Sequence, residues 1–429
     1  MFIAKVSIVL SLFLEIKRIE GFPNITKDYG LDIYQFLRKY NYSTETHWVQ
    51  TEDNYILRMQ RITRRNGTFS ENQNKPAVLL MHGLLCSAMD FVNMGPNKSL
   101  GLILADSGFD VWLGNNRGTT WSRQHTTLDP DTDAKFWDFS YETCGYYDLP
   151  AKIDYILQKT GQQKIFYVGH SQGTTQFFAM AALRPEYNEK IVLMTALAPV
   201  VYTNHISSLL FRTFAKHLSI FELLSYVFNI HELLPHSQLV ADVSMKLCSD
   251  GSRFQEMCAI LLFEISGYDS PQLDRSFLPV ITSNTPAGIS IKMLVHFFQG
   301  INSGQFRRYD YGALNIAHYK SLEPPEFDIS AITAPVAVYY AENDYLTAAQ
   351  DVERFSDELP NLVKKRLIEN KKFTHLDFLW AKDVNKIVNA DVLEHMKQYV
   401  NQSNKANSGV NEKFIPILII LFIHIIGYF

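Results

Sequence analysis

The chain has 429 residues, 47% of them hydrophobic and 13% aromatic, enough for a large buried core in one big domain or a core with an insertion. A formal net charge of −4 without a long basic run argues against nucleic acid as a partner. Four cysteines are too few for disulfides to build the fold.

Residues 1–20 have the outline of a signal peptide: Lys5, an apolar run from Val6 to Leu14, then Glu15-Ile16-Lys17-Arg18. The run is too short to span a bilayer. Asn-x-Ser/Thr triplets follow at Asn24, Asn41, Asn66, Asn97 and Asn401, and behind such a leader they mark candidate glycosylation sites. The expected organisation continues with an N-terminal segment (21–75) and the first part of an α/β core (76–199). An apolar helical insertion (200–322) and the second part of the core (323–400) come next.

Short apolar runs bounded by turn residues give the core strands: Ala77 to Met81, Phe109 to Leu113, Lys164 to Val168, Ile191 to Leu197 and Val336 to Tyr340. Runs that are apolar throughout indicate strands buried on both faces, as in a mostly parallel sheet. Between Val200 and about Leu322 this rhythm stops, and apolar helical segments such as Ser207 to Leu234 take over. They read as a cap over the mouth of the sheet. Within it, Cys248 and Cys258 are candidates for a disulfide, whereas Cys86 and Cys144 read as buried thiols.

Gly169-His170-Ser171-Gln172-Gly173 carries the chemistry. A bare G-x-S-x-G pattern arises by chance in about one chain in seven of this length. Here a β-branched and aromatic run leads into it and a helical stretch (Thr174 to Leu183) leads out, the strand–turn–helix of a nucleophile elbow. A serine hydroxyl needs a base, and the base needs an orienting acid. In this fold those residues follow in the order serine, acid, histidine. Asp344, after the strand Val336 to Tyr340, is the candidate acid, with Asp351 and Asp377 as rivals. His375, in the loop Phe373-Thr374-His375-Leu376-Asp377, is the candidate base. The oxyanion would be met by the backbone N–H of Gln172 and by that of Leu84, in His82-Gly83-Leu84-Leu85 after the first core strand. No spacing suggests a metal site, and the chemistry needs no cofactor.

Taken together, these residues resemble the acid lipase family, the group of gastric and lysosomal acid lipases. The resemblance runs from about Lys27 to Gln398. It rests on Thr51-Glu52-Asp53 with Tyr55-Ile56-Leu57, His82 to Leu85, Trp112 to Asn115 with Arg117-Gly118, and Phe136-Trp137 with Phe139-Ser140. It continues through Tyr147 to Ala151, Tyr167 to Thr175, Pro286 to Gly288 and His375 to Phe378. It implies an α/β-hydrolase core with a helical cap, hydrolysis of triacylglycerol or steryl esters at a lipid–water interface, and the triad Ser171, Asp344 and His375. A carboxylesterase of smaller esters is the alternative, and a non-catalytic lipid-binding protein a remoter one. The sequence does not give an oligomeric state.

The C-terminal stretch (401–429) departs from the family. A polar spacer leads to Phe414–Phe429, sixteen nearly unbroken apolar residues, about 24 Å as a helix and short of a full membrane span. A removed GPI signal, an uncleaved tail anchor and a loose tail remain open readings. The expected location is the secretory pathway, either secreted or at the outer face of a membrane, with the lysosomal lumen as the alternative.

Overall fold

The computed structural model describes residues 28–65, 75–235, 237–249, 251–269 and 271–402. The leader, Asn24, Asn66 and the apolar tail lie outside the described residues. Asn41, Asn97 and Asn401 are exposed.

An eight-stranded sheet organises the core. In chain order its strands are β1 (Tyr42–Gln50), β2 (Ile56–Arg65), β3 (Ala77–Met81), β4 (Asp110–Gly114), β5 (Ile165–His170), β6 (Ile191–Leu197), β9 (Val336–Tyr340) and β10 (Leu362–Leu367). Their spatial order is β1-β2-β4-β3-β5-β6-β9-β10. The β1–β2 and β2–β4 pairs are antiparallel and the remainder parallel. The five runs expected as core strands appear within a residue or two of those bounds. Alternate β3 residues enter opposite halves of the core: Leu79 and Met81 pack with Tyr167 and Phe177, Val78 and Leu80 with Phe166 and Val168. A sheet covered on both faces in this way demands uninterrupted apolar strands.

The β1–β2 hairpin is not among the strands expected from apolar runs. β1 reads Tyr-Ser-Thr-Glu-Thr-His-Trp-Val-Gln and is largely half-buried or exposed, so its signal is β-branched and aromatic composition rather than hydrophobicity. Both sheet edges are polar; β10 presents Lys364, Lys365 and Arg366. Charged edges discourage pairing with a foreign strand.

Helices cover the sheet: α1 (Ile33–Lys39), α2 (Leu100–Asp106), α3 (Leu149–Thr160) and α4 (Gln172–Leu183). Between β6 and β9 the chain builds the cap from α5 (Leu209–Lys216), α6 (Leu218–Val227), α7 (Gln238–Cys248), α8 (Gln255–Ser266) and α9 (Ile291–Ser303). The cap also contains a ribbon absent from the sequence reading: β7 (Glu232–Leu233) pairs antiparallel with β8 (Ile289–Ser290). Two-residue strands leave no periodicity to detect. Core helix α10 (Ala349–Glu358) follows β9, and a helical stretch over 384–402 follows β10 and buries Val388, Val392 and Met396 in the core. Cys248 at the end of α7 is bonded to Cys258 in α8, with Cα atoms 5.7 Å apart, and Cys86 and Cys144 are buried free thiols. No helix among the described residues is long and apolar enough to cross a membrane.

Several of the recognised motifs meet in one buried ion cluster. The Arg117 guanidinium binds Asp53 at 2.6 and 2.9 Å and Asp148 at 2.5 and 2.8 Å, and lies 3.9 Å from the centre of the Tyr55 ring. The N-terminal segment is thereby fastened to the loop after β4 and to the helical turn that leads into α3. These motif residues hold the scaffold together rather than perform chemistry.

Candidate active site

Ser171 sits between β5 and α4 at φ 53°, ψ −121°, a conformation that an L-residue adopts only under strain. The tight turn leaves no room beside it. A Cβ at Gly169 would stand 2.7 Å from the Gly173 carbonyl carbon, and one at Gly173 would stand 2.1 Å from the Met81 oxygen. Gly173→Ala should therefore drive the elbow into β3 and destabilise the fold by on the order of 4 kcal/mol or more. Urea unfolding measures this, and a variant within about 1 kcal/mol of wild type would contradict it.

The candidate acid and base come from the far end of the chain. Asp344 lies beyond β9, after Ala341-Glu342-Asn343 rather than directly at the strand end. Its Oδ1 accepts the backbone N–H groups of Leu346 and Thr347, both at 2.8 Å, and its Oδ2 accepts the Thr347 hydroxyl at 2.6 Å. The His375 Nδ1–H donates to the same Oδ2 at 2.8 Å. The carboxylate is fully buried and the imidazole 2% exposed. Nδ1 being the protonated nitrogen leaves Nε2 free to act as a base, and it has no partner among the described residues. His375 and Ser171 line the same cavity.

The rival acids are engaged elsewhere. Asp351 accepts from His205 Nδ1 at 2.7 Å and from His205 N–H at 2.9 Å. Asp377 accepts the Thr374 N–H at 2.7 Å and so shapes the loop that carries His375. Chain order alone does not separate His375 from His395. The structure does: the His395 ring packs edge-on to Tyr399, outside the cavity.

Burial pushes the Asp377 carboxyl up to about 7. A carboxyl whose pKa is raised on folding binds protons more tightly in the native state, so its contribution favours the fold as pH falls from about 7 toward the unfolded value of about 4. Relative to Asp377→Asn, the wild type should gain thermal stability between pH 7.5 and pH 4.5. A gap between the two melting temperatures that does not move with pH would contradict this.

Gln172 opens α4 and Leu84 follows Gly83; neither N–H donates to a described residue, as an oxyanion pair requires. A Cβ at Gly83 would lie 3.0 Å from Ser171 Cβ and 3.2 Å from His170 Nδ1, tight enough to press on the elbow. Three further residues contribute that no catalytic motif announces. Thr347 grips the acid. The Ser266 carbonyl at the end of α8 accepts the N–H groups of His375 (3.3 Å) and Tyr345 (3.2 Å), tying the cap to the loops that carry His375 and Asp344. His170 Nε2–H donates to the His375 carbonyl at 2.9 Å, and burial pushes its pKa down to about 3. Only His170, as the variable residue of the elbow, left a trace in the sequence.

Over Ser171 lies a cavity of about 380 Å³ with almost entirely apolar walls. Its floor is formed by Gly83, Leu84, Ser171 and His375, and its roof is cap residues including Phe211, Phe214, Leu294, Phe297 and Phe298. Among the described residues, no group of three or more His, Cys, Asp or Glu is placed to hold a metal ion.

Comparison with known proteins agrees with this architecture. Residues 76–382 match the family model described as alpha/beta hydrolase fold, and residues 33–95 match the partial alpha/beta-hydrolase lipase region. The chain is 44% identical to Lipase 3 of Drosophila melanogaster over 359 residues, covering 83% of this chain and 91% of that one. It is 37% identical to gastric triacylglycerol lipase of Homo sapiens over 380 residues, covering 88% and 93%. Among solved structures, a putative lipase from Sulfolobus solfataricus shares the fold at a TM-score of 0.56 and 15% identity, over 89% of this chain and 99% of that one. With the elbow, the acid–histidine pair and the apolar roof all in place, the chain belongs to the acid lipase family of α/β-hydrolases.

Proposed function

We propose that the protein is a lipase that hydrolyses carboxylic esters of neutral lipids, triacylglycerols or steryl esters, through an acyl-enzyme on Ser171. The observation that carries this reading is the apolar cavity roofed by the cap directly over Ser171 and His375. A small polar ester gains little from such walls, whereas each methylene of an acyl chain buried there contributes about 0.8 kcal/mol.

In the first half-reaction His375 Nε2 takes the Ser171 proton as Oγ attacks the ester carbonyl. The Leu84 and Gln172 N–H groups meet the developing oxyanion. His375 then protonates the leaving alcohol, and water repeats the sequence on the acyl-enzyme. Asp344 keeps the imidazole in the tautomer that presents Nε2.

The cap also offers lipid an apolar outer surface. Ile220, Leu223, Leu224, Tyr226, Val227 and Phe228 on and after α6 are all at least 49% exposed. Contiguous exposed apolar side chains of this kind mark an interaction surface, and a lipid–water interface is the partner this reading assigns. A secretory route is supported by the leader-like start, the exposed Asn41, Asn97 and Asn401, and the Cys248–Cys258 disulfide. The apolar run Phe414–Phe429 would attach the enzyme to a membrane, either directly or through a lipid that replaces it.

The test is hydrolysis of emulsified long-chain triacylglycerol and cholesteryl ester from pH 4 to pH 8, beside soluble short-chain esters. Turnover of the emulsified substrates is expected. Turnover of short esters alone would replace the lipase reading with that of a carboxylesterase.

A further inference from the structure

An oxyanion hole works only if its peptide groups point the right way. In a planar trans peptide the C=O and N–H lie on opposite sides, so whatever fixes the Gly83 oxygen also aims the Leu84 hydrogen. The Gly83 oxygen accepts from two groups, His82 Nδ1 at 2.9 Å and the Cys86 N–H at 3.2 Å. The His82 ring is held at its other end as well: Nε2 accepts the Asn116 N–H at 3.1 Å. An imidazole that accepts at Nε2 must carry its proton on Nδ1. The loop after β4 thus imposes the tautomer that donates to Gly83. His82 is 1% exposed, and both of its ring nitrogens are engaged.

We propose that His82 is a positioning residue for ester hydrolysis: a rigid spacer between the Asn116 amide and the Gly83 carbonyl that aims the Leu84 N–H at the oxyanion. The proposal rests on Leu84 being an oxyanion donor. It does not depend on which ester is the natural substrate.

The surroundings hold the ring in its neutral form. Burial, with Lys152 nearby, pushes its pKa down to about 4. The other titratable groups close by are His170 from the elbow and Arg117, which shares a small cavity wall with His82 and is itself neutralised by Asp53 and Asp148. A second ring proton on Nε2 would face the Asn116 N–H and break the relay. The spacer therefore keeps its one-donor, one-acceptor form in mildly acidic media.

Three variants separate this role from simple packing. His82→Asn places an amide nitrogen where Nδ1 was and can still donate to Gly83. His82→Gln reaches toward Asn116 but not Gly83, and His82→Leu does neither. Each is assayed with a soluble p-nitrophenyl ester for kcat and KM, and by thermal melting. Each is also titrated with an alkyl trifluoromethyl ketone, whose serine adduct places an oxyanion in the hole, and with the matching alcohol, which forms no adduct.

In His82→Leu and His82→Gln, kcat and ketone affinity should both fall by about 10²-fold, with KM and alcohol affinity nearly unchanged. His82→Asn should recover about tenfold or more of both losses. Equal losses in the Asn and Gln variants, parallel loss of ketone and alcohol binding, or full ketone affinity in His82→Leu would overturn the proposal. The ketone reads the hole without turnover, so failure of the lipase reading shows separately, as a wild type that binds the ketone but leaves lipid esters intact.

Discussion

Ser171→Ala is expected to lower kcat by about 10⁶-fold on any ester the enzyme cleaves, the scale on which removal of a triad nucleophile disables a serine hydrolase. The reason is geometric. The elbow commits a strained backbone (φ 53°) and two glycines without room for a side chain to presenting one hydroxyl. No neighbouring group stands in for it: His170 is turned to the His375 carbonyl, and Gln172 offers its backbone. The variant should still fold, since Ser171 Oγ makes no hydrogen bond to a described residue. Lipid binding should persist, because the cavity walls are untouched. The check is turnover together with the melting temperature; loss of both at once would mean that the serine serves the fold instead of the reaction.

The second large effect belongs to Asp344→Asn. Asparagine is isosteric, but its amide can present N–H where Oδ2 accepts from His375 Nδ1 and from the Thr347 hydroxyl. Turned that way, the imidazole shifts its proton to Nε2 and loses its basic nitrogen on the Ser171 side. A drop in kcat of about 10⁴-fold is expected, with KM changed far less. Asp351→Asn, at the rival acid bound to His205, should leave kcat within about threefold of wild type. Equal effects at the two positions would refute the assignment of the acid.

How much of this was legible in the sequence follows from how each feature is encoded. The elbow is local: five consecutive residues between a strand and a helix carry all of it, so Ser171 and its glycines could be read directly. The acid and base are separated from it in sequence but ordered by the fold, and chain order with loop position led to Asp344 and His375. Order did not exclude His395, because that needs the packing of its ring on Tyr399. The β1–β2 hairpin was hidden because β1 is largely polar and half-buried or exposed, and β2 alternates buried Leu57, Met59 and Ile62 with polar residues, so neither has the uninterrupted apolar run that revealed β3 to β6. The β7–β8 ribbon was too short to leave a pattern at all. The His82 relay is the least readable feature. His82 belongs to a recognised motif, but its role depends on the Asn116 N–H, a backbone group whose position no side-chain identity announces. The motif around Arg117 shows the converse: a strong sequence signal marked a buried ion cluster that fastens the scaffold.

The most direct test of the central claim is covalent labelling with a long-chain alkyl p-nitrophenyl phosphonate, followed by peptide mass spectrometry. One phosphonyl group per chain, located on Ser171, released with one equivalent of nitrophenol and absent in His375→Ala, is the predicted result. A label on another residue, or labelling of Ser171 that is unaffected by loss of His375, would contradict an activated Ser171 at the base of a lipid-binding cavity.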